Sequence, residues 1–192
     1  MNTYTVNVQP ILTLNDEQFL QLSQANPDLK FERSQQGNLI IMSPTGGETG
    51  NRNAELIIEF GNWNRRKKLG KVFDSSTGFK LPNGAIRSPD VAWVKQESWD
   101  KLSTKEKQRF PNLAPDFVLE LRSKTDSLSE TQGKLREYIE NGVRLGWLIN
   151  PLEKQVEIYR SGKEPDVLDQ PQQISGEAVL PEFTLNLSLV WE

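Results

Sequence analysis

Phe117-Val118-Leu119-Glu120-Leu121 is the most apolar strand-length run in the chain, and its fourth residue is a carboxylic acid. A run that is apolar at both odd and even positions has no solvent side, so it predicts a central strand covered on both faces. That requirement calls for helices or a second sheet above and below it, which means a layered α/β fold. An ionised carboxylate in such a strand is costly unless a metal, a cationic side chain or several hydrogen bonds compensate it. Glu120 therefore needs a partner. Arg122, Lys124 and Arg144 are the structural candidates, and a bound cation is the functional one.

The surrounding sequence supplies the covering elements. Thr13-Leu14-Asn15-Asp16 begins a helix expected over about Leu14 to Ala25, ending before Pro27. Leu29 to Arg33 and Asn38 to Met42 read as a hairpin around Ser34-Gln35-Gln36-Gly37. A long helix is expected from about Glu48 to Lys68, with Leu56, Phe60 and Trp63 at helical spacing. Short strands follow near Val72 to Asp74, Phe79 to Leu81 and Asp90 to Val94, with a turn at Pro82-Asn83-Gly84. Gln96 to Arg109 is polar and predicts one or two short surface helices. Ser129 to Asn141 is amphipathic, with Leu135, Tyr138 and Ile139 inward and Gly142 just past its end. Val143 to Ile149 and Gln155 to Arg160 form a further strand pair. Ser161 to Gly176 reads as loop, and a short strand near Leu185 to Val190 closes the fold. With no internal repeat or linker, residues 1–192 are expected to form one domain.

Composition narrows the chemistry. The chain has no cysteine and no histidine. Thiol nucleophiles, thiolate zinc sites, histidine bases and Ser-His-Asp triads are therefore excluded. Catalysis has to rest on carboxylates, lysine, arginine, hydroxyls or a hard cation such as magnesium, manganese or calcium. The net charge is −3, so any affinity for nucleic acid has to come from a local patch. Arg65-Arg66-Lys67-Lys68 with Lys71 is the one strong basic run. It reads either as a solvated helix end or as an edge that contacts phosphate. Trp63 and Trp147 read as core or interface residues, and Ser123, Thr125 and Ser127 as caps for the following helix or phosphate contacts. No apolar run is long enough to span a membrane. Met1 to Pro10 has neither the basic end nor the apolar run of a secretory signal, so a cytoplasmic protein is expected.

Two further acids compete as partners for Glu120. Asp90 follows Pro89 at the start of an apolar strand, and Asp116 follows Pro115. Residues four apart in a strand lie about 13 Å apart at about 3.3 Å per residue. Asp116 and Glu120 thus cannot easily share one ion, whose ligands sit about 2.0–2.6 Å away. Asp90 lies on another strand and meets Glu120 if the two strands pair. Asp116 reads as a strand-entry residue.

The order of helix, strand with Pro-Asp, and strand with internal Glu resembles the PD-(D/E)xK nuclease superfamily. Within it, the chain is similar to the Uma2 family, also catalogued as DUF820 and common in cyanobacteria. The resemblance rests on Ser43-Pro44-Thr45-Gly46-Gly47-Glu48-Thr49-Gly50, Arg87-Ser88-Pro89-Asp90-Val91 and Pro115 to Ser123. It continues through Lys134-x-x-x-Tyr138 and Gly142 to Pro151.

This resemblance implies a restriction-endonuclease-like α+β fold, a mixed central sheet flanked by helices. It implies a divalent-metal-dependent endonuclease that hydrolyses DNA phosphodiester bonds, with Mg2+ or Mn2+ held by Asp90 and Glu120. Glu48 matches a helix carboxylate that adds a metal contact, with Glu55 as the alternate on about the same helical face. The residue two after Glu120 is Arg122 where the superfamily has lysine, and an arginine can hold phosphate but stays protonated. The lysine's role then passes to Lys134, with Lys124 as the other candidate. A homodimer is a further expectation of this fold. The alternative expectation, grounded on Arg122, is a catalytically inactive module that binds nucleic acid or protein.

Overall fold

The computed structural model describes residues 3–9 and 11–192. Met1, Asn2 and Pro10, part of the amino-terminal stretch considered above, lie outside the described residues. In chain order the elements are β1 (Thr3–Val6), α1 (Asp16–Ala25), β2 (Lys30–Arg33), β3 (Leu39–Met42), α2 (Gly47–Lys67), β4 (Gly70–Asp74), β5 (Phe79–Lys80), β6 (Ile86–Arg87) and β7 (Val91–Lys95). They continue with α3 (Gln96–Asp100), α4 (Thr104–Lys107), β8 (Phe117–Leu121), α5 (Leu128–Glu140), β9 (Leu145–Asn150), β10 (Gln155–Arg160), β11 (Asp166–Asp169), β12 (Gln173–Ser175), β13 (Thr184–Asn186) and α6 (Ser188–Trp191).

The Phe117–Leu121 run sits inside a six-stranded sheet of order β11-β10-β9-β8-β7-β4. The β8/β9 pair is parallel and the other pairs are antiparallel. All five residues of β8 are buried, and alternation sends them to two different cores. Phe117, Leu119 and Leu121 join Leu145, Trp147 and Ile149 of β9 beneath Leu56, Phe60 and Trp63 of α2. Those three α2 residues recur at i, i+4 and i+7, which makes one helical stripe. On the opposite face Val118, Leu148 and Tyr159 pack against Leu135 and Tyr138 of α5. Helices thus cover both faces of the strand, as its apolar pattern requires.

A second, antiparallel sheet has the order β1-β3-β2-β6-β5. On one of its faces the alternation of β2 and β3 groups Lys30, Glu32, Ile40 and Met42, with register pairs Glu32–Ile40 and Lys30–Met42. Glu32 is buried there.

Four short strands depart from the expected pattern, the two-residue β6 among them. β11 and β12 lie within the Ser161–Gly176 segment expected as loop, and β1 precedes α1. β1 and β11 are almost wholly exposed, so their side chains carry no burial period. Backbone pairing to β3 and β10 alone defines them. The expected strand at Leu185 to Val190 is instead β13, paired with β12, followed by the helical turn α6. Among the described residues no helix is long and apolar enough to cross a membrane.

Candidate active site

Strand register brings the two acids together. β7 and β8 run antiparallel with Val91 opposite Leu119, and continuing the register by one residue sets Asp90 opposite Glu120. Side chains directly opposed on one face have Cβ atoms about 4.5–5.5 Å apart. A hydrogen bond locks this arrangement, because the Leu121 N–H donates to Asp90 Oδ2 at 2.8 Å. By alternation both acids lie on the α5 face, away from α2's apolar stripe.

Helix α5 delivers the next two groups. Lys134 and Tyr138 are one turn apart and therefore share a helical face. Lys134 Nζ lies 3.0 Å from Glu120 Oε1, and the Tyr138 hydroxyl donates to the same oxygen at 3.0 Å. Among the described residues no other group donates to Glu120, so its Oε2 remains available.

The sequence reading missed Glu32, which reaches this cluster from β2 in the other sheet. Its Oε1 lies 2.8 Å from Lys134 Nζ and accepts the Ser88 N–H at 2.8 Å. Arg87 donates to its Oε2 at 3.0 Å and to Glu137 Oε2 of α5 at 2.6 Å. The available signal was a charged residue at the inward position of a short hairpin strand, Phe31-Glu32-Arg33, a position that would otherwise be apolar.

Burial and pairing set the charges. Burial pushes the Glu120 carboxyl up to about 8; Lys134 opposes this while the Asp90 and Glu32 charges reinforce it. Burial raises Asp90 as well, against the Leu121 N–H and Lys134. For Glu32, burial alone would act upward, but Lys134 and Arg87 hold it below the ordinary carboxylate range. Burial would likewise lower Lys134, yet Glu120 and Glu32 override it and keep the ammonium charged. Burial and the neighbouring Glu120 raise the Tyr138 phenol well above its usual value, so it stays a donor. The result is a fixed cation between two acids, with two facing carboxyls that resist ionising together.

Asp90, Glu120, Lys134, Glu32 and Arg87 line a cleft of about 550 Å³ that also takes in Thr45, Thr49 and Asn53 from the α2 end and Lys30, Ile40 and Met42 from the second sheet. Glu48 is not in it. Its side chain is 67% exposed and pairs with Lys124 at 3.1 Å, and this pairing lowers its pKa. Glu55 shares Glu48's side of the helix in a separate depression. The expected helix carboxylate therefore faces away, because Thr49 and Asn53 occupy the helix face turned to the cleft.

Arg122 is also outside the Glu120 cluster. Its Nε donates to the Asp126 carbonyl at 3.2 Å and its Nη1 to Asn150 Oδ1 at 3.3 Å, which fixes it beside Lys124 in a neighbouring depression of about 370 Å³. Of the two lysines considered, it is Lys134 that meets Glu120. Neither Arg122 nor Arg144 pairs with Glu120, since Arg144 sits 3.6 Å from Asp116. Asp116 accepts the Lys95 N–H at 2.8 Å, so it ties strand ends together. Trp63 and Trp147 are fully buried in the α2-side core. Arg65, Arg66 and Lys67 occupy the last turn of α2, where cations favour the helix dipole, and Lys67 pairs with Glu182. Ser127 caps α5.

The donor set suits a hard divalent cation. Asp90 and Glu120 offer carboxylate oxygens side by side, and such oxygens are what magnesium or manganese prefers. Asn53 donates its Nδ2 to Asp90 Oδ1 at 3.3 Å, and its own Oδ1 is a buried acceptor without a donor. No cluster of three acids able to hold a metal exists among the described residues, so carboxylates alone do not complete the set.

A family model described as "Putative restriction endonuclease", Uma2, matches residues 16–188. The chain belongs to the Uma2 family. Its fold is that of a crystal structure from Anabaena variabilis described as a "putative nuclease belonging to DUF820". The two share 20% sequence identity, 93% of this chain and 97% of that one are covered, and the TM-score is 0.75. At that identity the likeness speaks for the fold. No curated protein matches the sequence. The family model's description is that of a restriction endonuclease, and the structural likeness adds the fold.

Proposed function

We propose that this Uma2 protein is a divalent-cation-dependent endonuclease that hydrolyses phosphodiester bonds in DNA, with Asp90 and Glu120 holding Mg2+ or Mn2+. The observation that carries the reading is the meeting of Asp90 and Glu120 on one sheet face with Lys134 against Glu120. A divalent cation in that position supplies Lewis acidity toward a phosphate oxygen and acidifies a bound water. Lys134, pinned between Glu120 and Glu32, stands as a fixed positive charge for the negative charge that builds on phosphate oxygens in the transition state. Because those carboxylates keep it protonated, it acts as a donor and not as a base. Tyr138 and Lys134 both address Glu120 Oε1, which orients the carboxylate and leaves Oε2 as the oxygen that would hold the cation. Lys134 favours this over the inactive-module reading, since an ammonium meets Glu120 without a lysine at position 122. Glu48 and Arg122 are left outside this assignment. Each chain carries one such centre among its described residues, so cutting both strands of a duplex calls for two copies, and we include a homodimer in the proposal.

The test is supercoiled plasmid incubated with purified protein and Mg2+ or Mn2+. Nicking or linearisation is expected from the wild type, none from Asp90→Ala or Glu120→Ala, and a loss of about 10²–10³-fold from Lys134→Ala, the size typical of one charge-stabilising donor. Equal cleavage by all four preparations would trace to a contaminant and sink the reading.

A further inference from the structure

The cleft-facing side of α2 carries Asn53 where a carboxylate was expected. Its Nδ2 donates to Asp90 Oδ1 at 3.3 Å, while the oxygen of the same amide is buried and meets no donor. A buried acceptor left unmet costs about 1–3 kcal/mol, and native structures rarely leave one without a purpose. The acids nearby fall short of a metal-holding group of three, yet a hard cation takes six or more oxygens and accepts amide carbonyl oxygen as readily as water. The amide nitrogen sits on the carboxylate proposed as a ligand, so the unmet oxygen of the same amide belongs to a side chain already at the incomplete donor set.

We infer that Asn53 is the third protein ligand of the cation, contributing Oδ1 alongside Asp90 and Glu120. This rests on the reading that those two acids hold a divalent ion. The helix contribution then comes from the face defined by Thr49 and Asn53, and Glu48 takes no part. A neutral third ligand also avoids placing another negative charge beside two carboxyls that already resist ionising together.

Calorimetric titration of the full chain with Mn2+ tests this without reference to cleavage. Wild type should bind one ion and Asp90→Ala none. Asn53→Ala should weaken binding by at least about tenfold, the minimum seen even when a residue acts one step removed from a metal, and Glu48→Gln should leave it unchanged. Asn53→Asp separates ligand from donor: it keeps an oxygen and loses the N–H given to Asp90. Retained or tighter binding by Asn53→Asp is expected. Weakening equal to that of Asn53→Ala would make Asn53 a mere hydrogen-bond donor and overturn the inference, as would unchanged binding by Asn53→Ala. If the wild type binds no Mn2+, the underlying cation reading fails with it, a result distinct from loss confined to position 53.

Discussion

Glu120 is held at a price in stability that a cation would remove. Its carboxyl is pushed up to about 8, chiefly by burial, against an ordinary value near 4.3 in the unfolded chain. An acid whose folded pKa is raised binds more protons folded than unfolded, so stability falls with rising pH between those two values. Two outcomes follow from the same sign. Without divalent cations, thermal stability should decline from about pH 5 to pH 8, and Glu120→Gln should flatten that decline and raise the melting temperature at pH 8. About 1 kcal/mol corresponds to roughly 2–4 °C in a chain of this size. In the presence of Mn2+, binding should tighten as pH rises toward 8 and release a proton, measurable by calorimetry in buffers of different ionisation enthalpy. A melting curve equally pH-dependent in Glu120→Gln would place the titration on another group. Asp90 and Glu32 titrate in the same cluster, so the variant comparison, not the wild-type curve alone, carries the test.

At the scale of elements, the site depends on how closely α5 approaches the sheet, and Gly146 sets that approach. A Cβ at Gly146 would come within 2.8 Å of Leu135 Cδ1 and meet Val118 and Tyr159 at 3.6 Å. Leu135 lies next to Lys134 in sequence and one helical turn before Ile139, so anything that lifts Leu135 shifts the helix bearing Lys134 and Tyr138. Gly146→Val should cost about 1–3 kcal/mol as overpacking, read from urea denaturation. It should also lower cleavage more than the loss of folded protein explains, because Lys134 is drawn away from Glu120. Elements of this kind were legible from the sequence: α2 and α5 were expected close to their observed bounds because each has a buried face that imposes a period, and β7 and β8 because they are short runs apolar throughout. Asp90 and Glu120 were legible for the same reason, as acids set into apolar strands. Glu32 was not, because its strand is four residues long and its partners Arg87 and Lys134 lie 55 and 102 positions away. Asn53 was passed over because an amide carries no charge to draw attention, and the helical face that matters is fixed by how α2 docks, which residue spacing alone does not give.

Taken as a whole, the molecule builds its cleft from two sheets, with the six-stranded sheet supplying the acids opposite Lys134 and the amino-terminal sheet supplying Glu32 and the far wall. The side chains lining that cleft include seven carboxyl and four cationic groups, so the space proposed to receive a polyanion is itself acidic. Phosphate is therefore repelled unless a divalent cation reverses the local charge, and few lysines or arginines are present to displace counterions from the substrate. Because each neutralised phosphate contributes about −0.7 to −0.9 to the slope of log K against log salt, binding by this cleft should show a shallow slope and a strong dependence on divalent ions. Fluorescence anisotropy with labelled DNA and Ca2+ or Mn2+, set against the same titration in EDTA, measures both quantities. Loss of binding in EDTA and a slope equivalent to only a few phosphates is the expected result. Tight binding in EDTA with a steep slope would mean that the nucleic acid sits elsewhere, and the Arg65–Lys68 ridge is where Glu or Gln substitutions would then be tried, because it is the only run of four consecutive cationic residues in the chain.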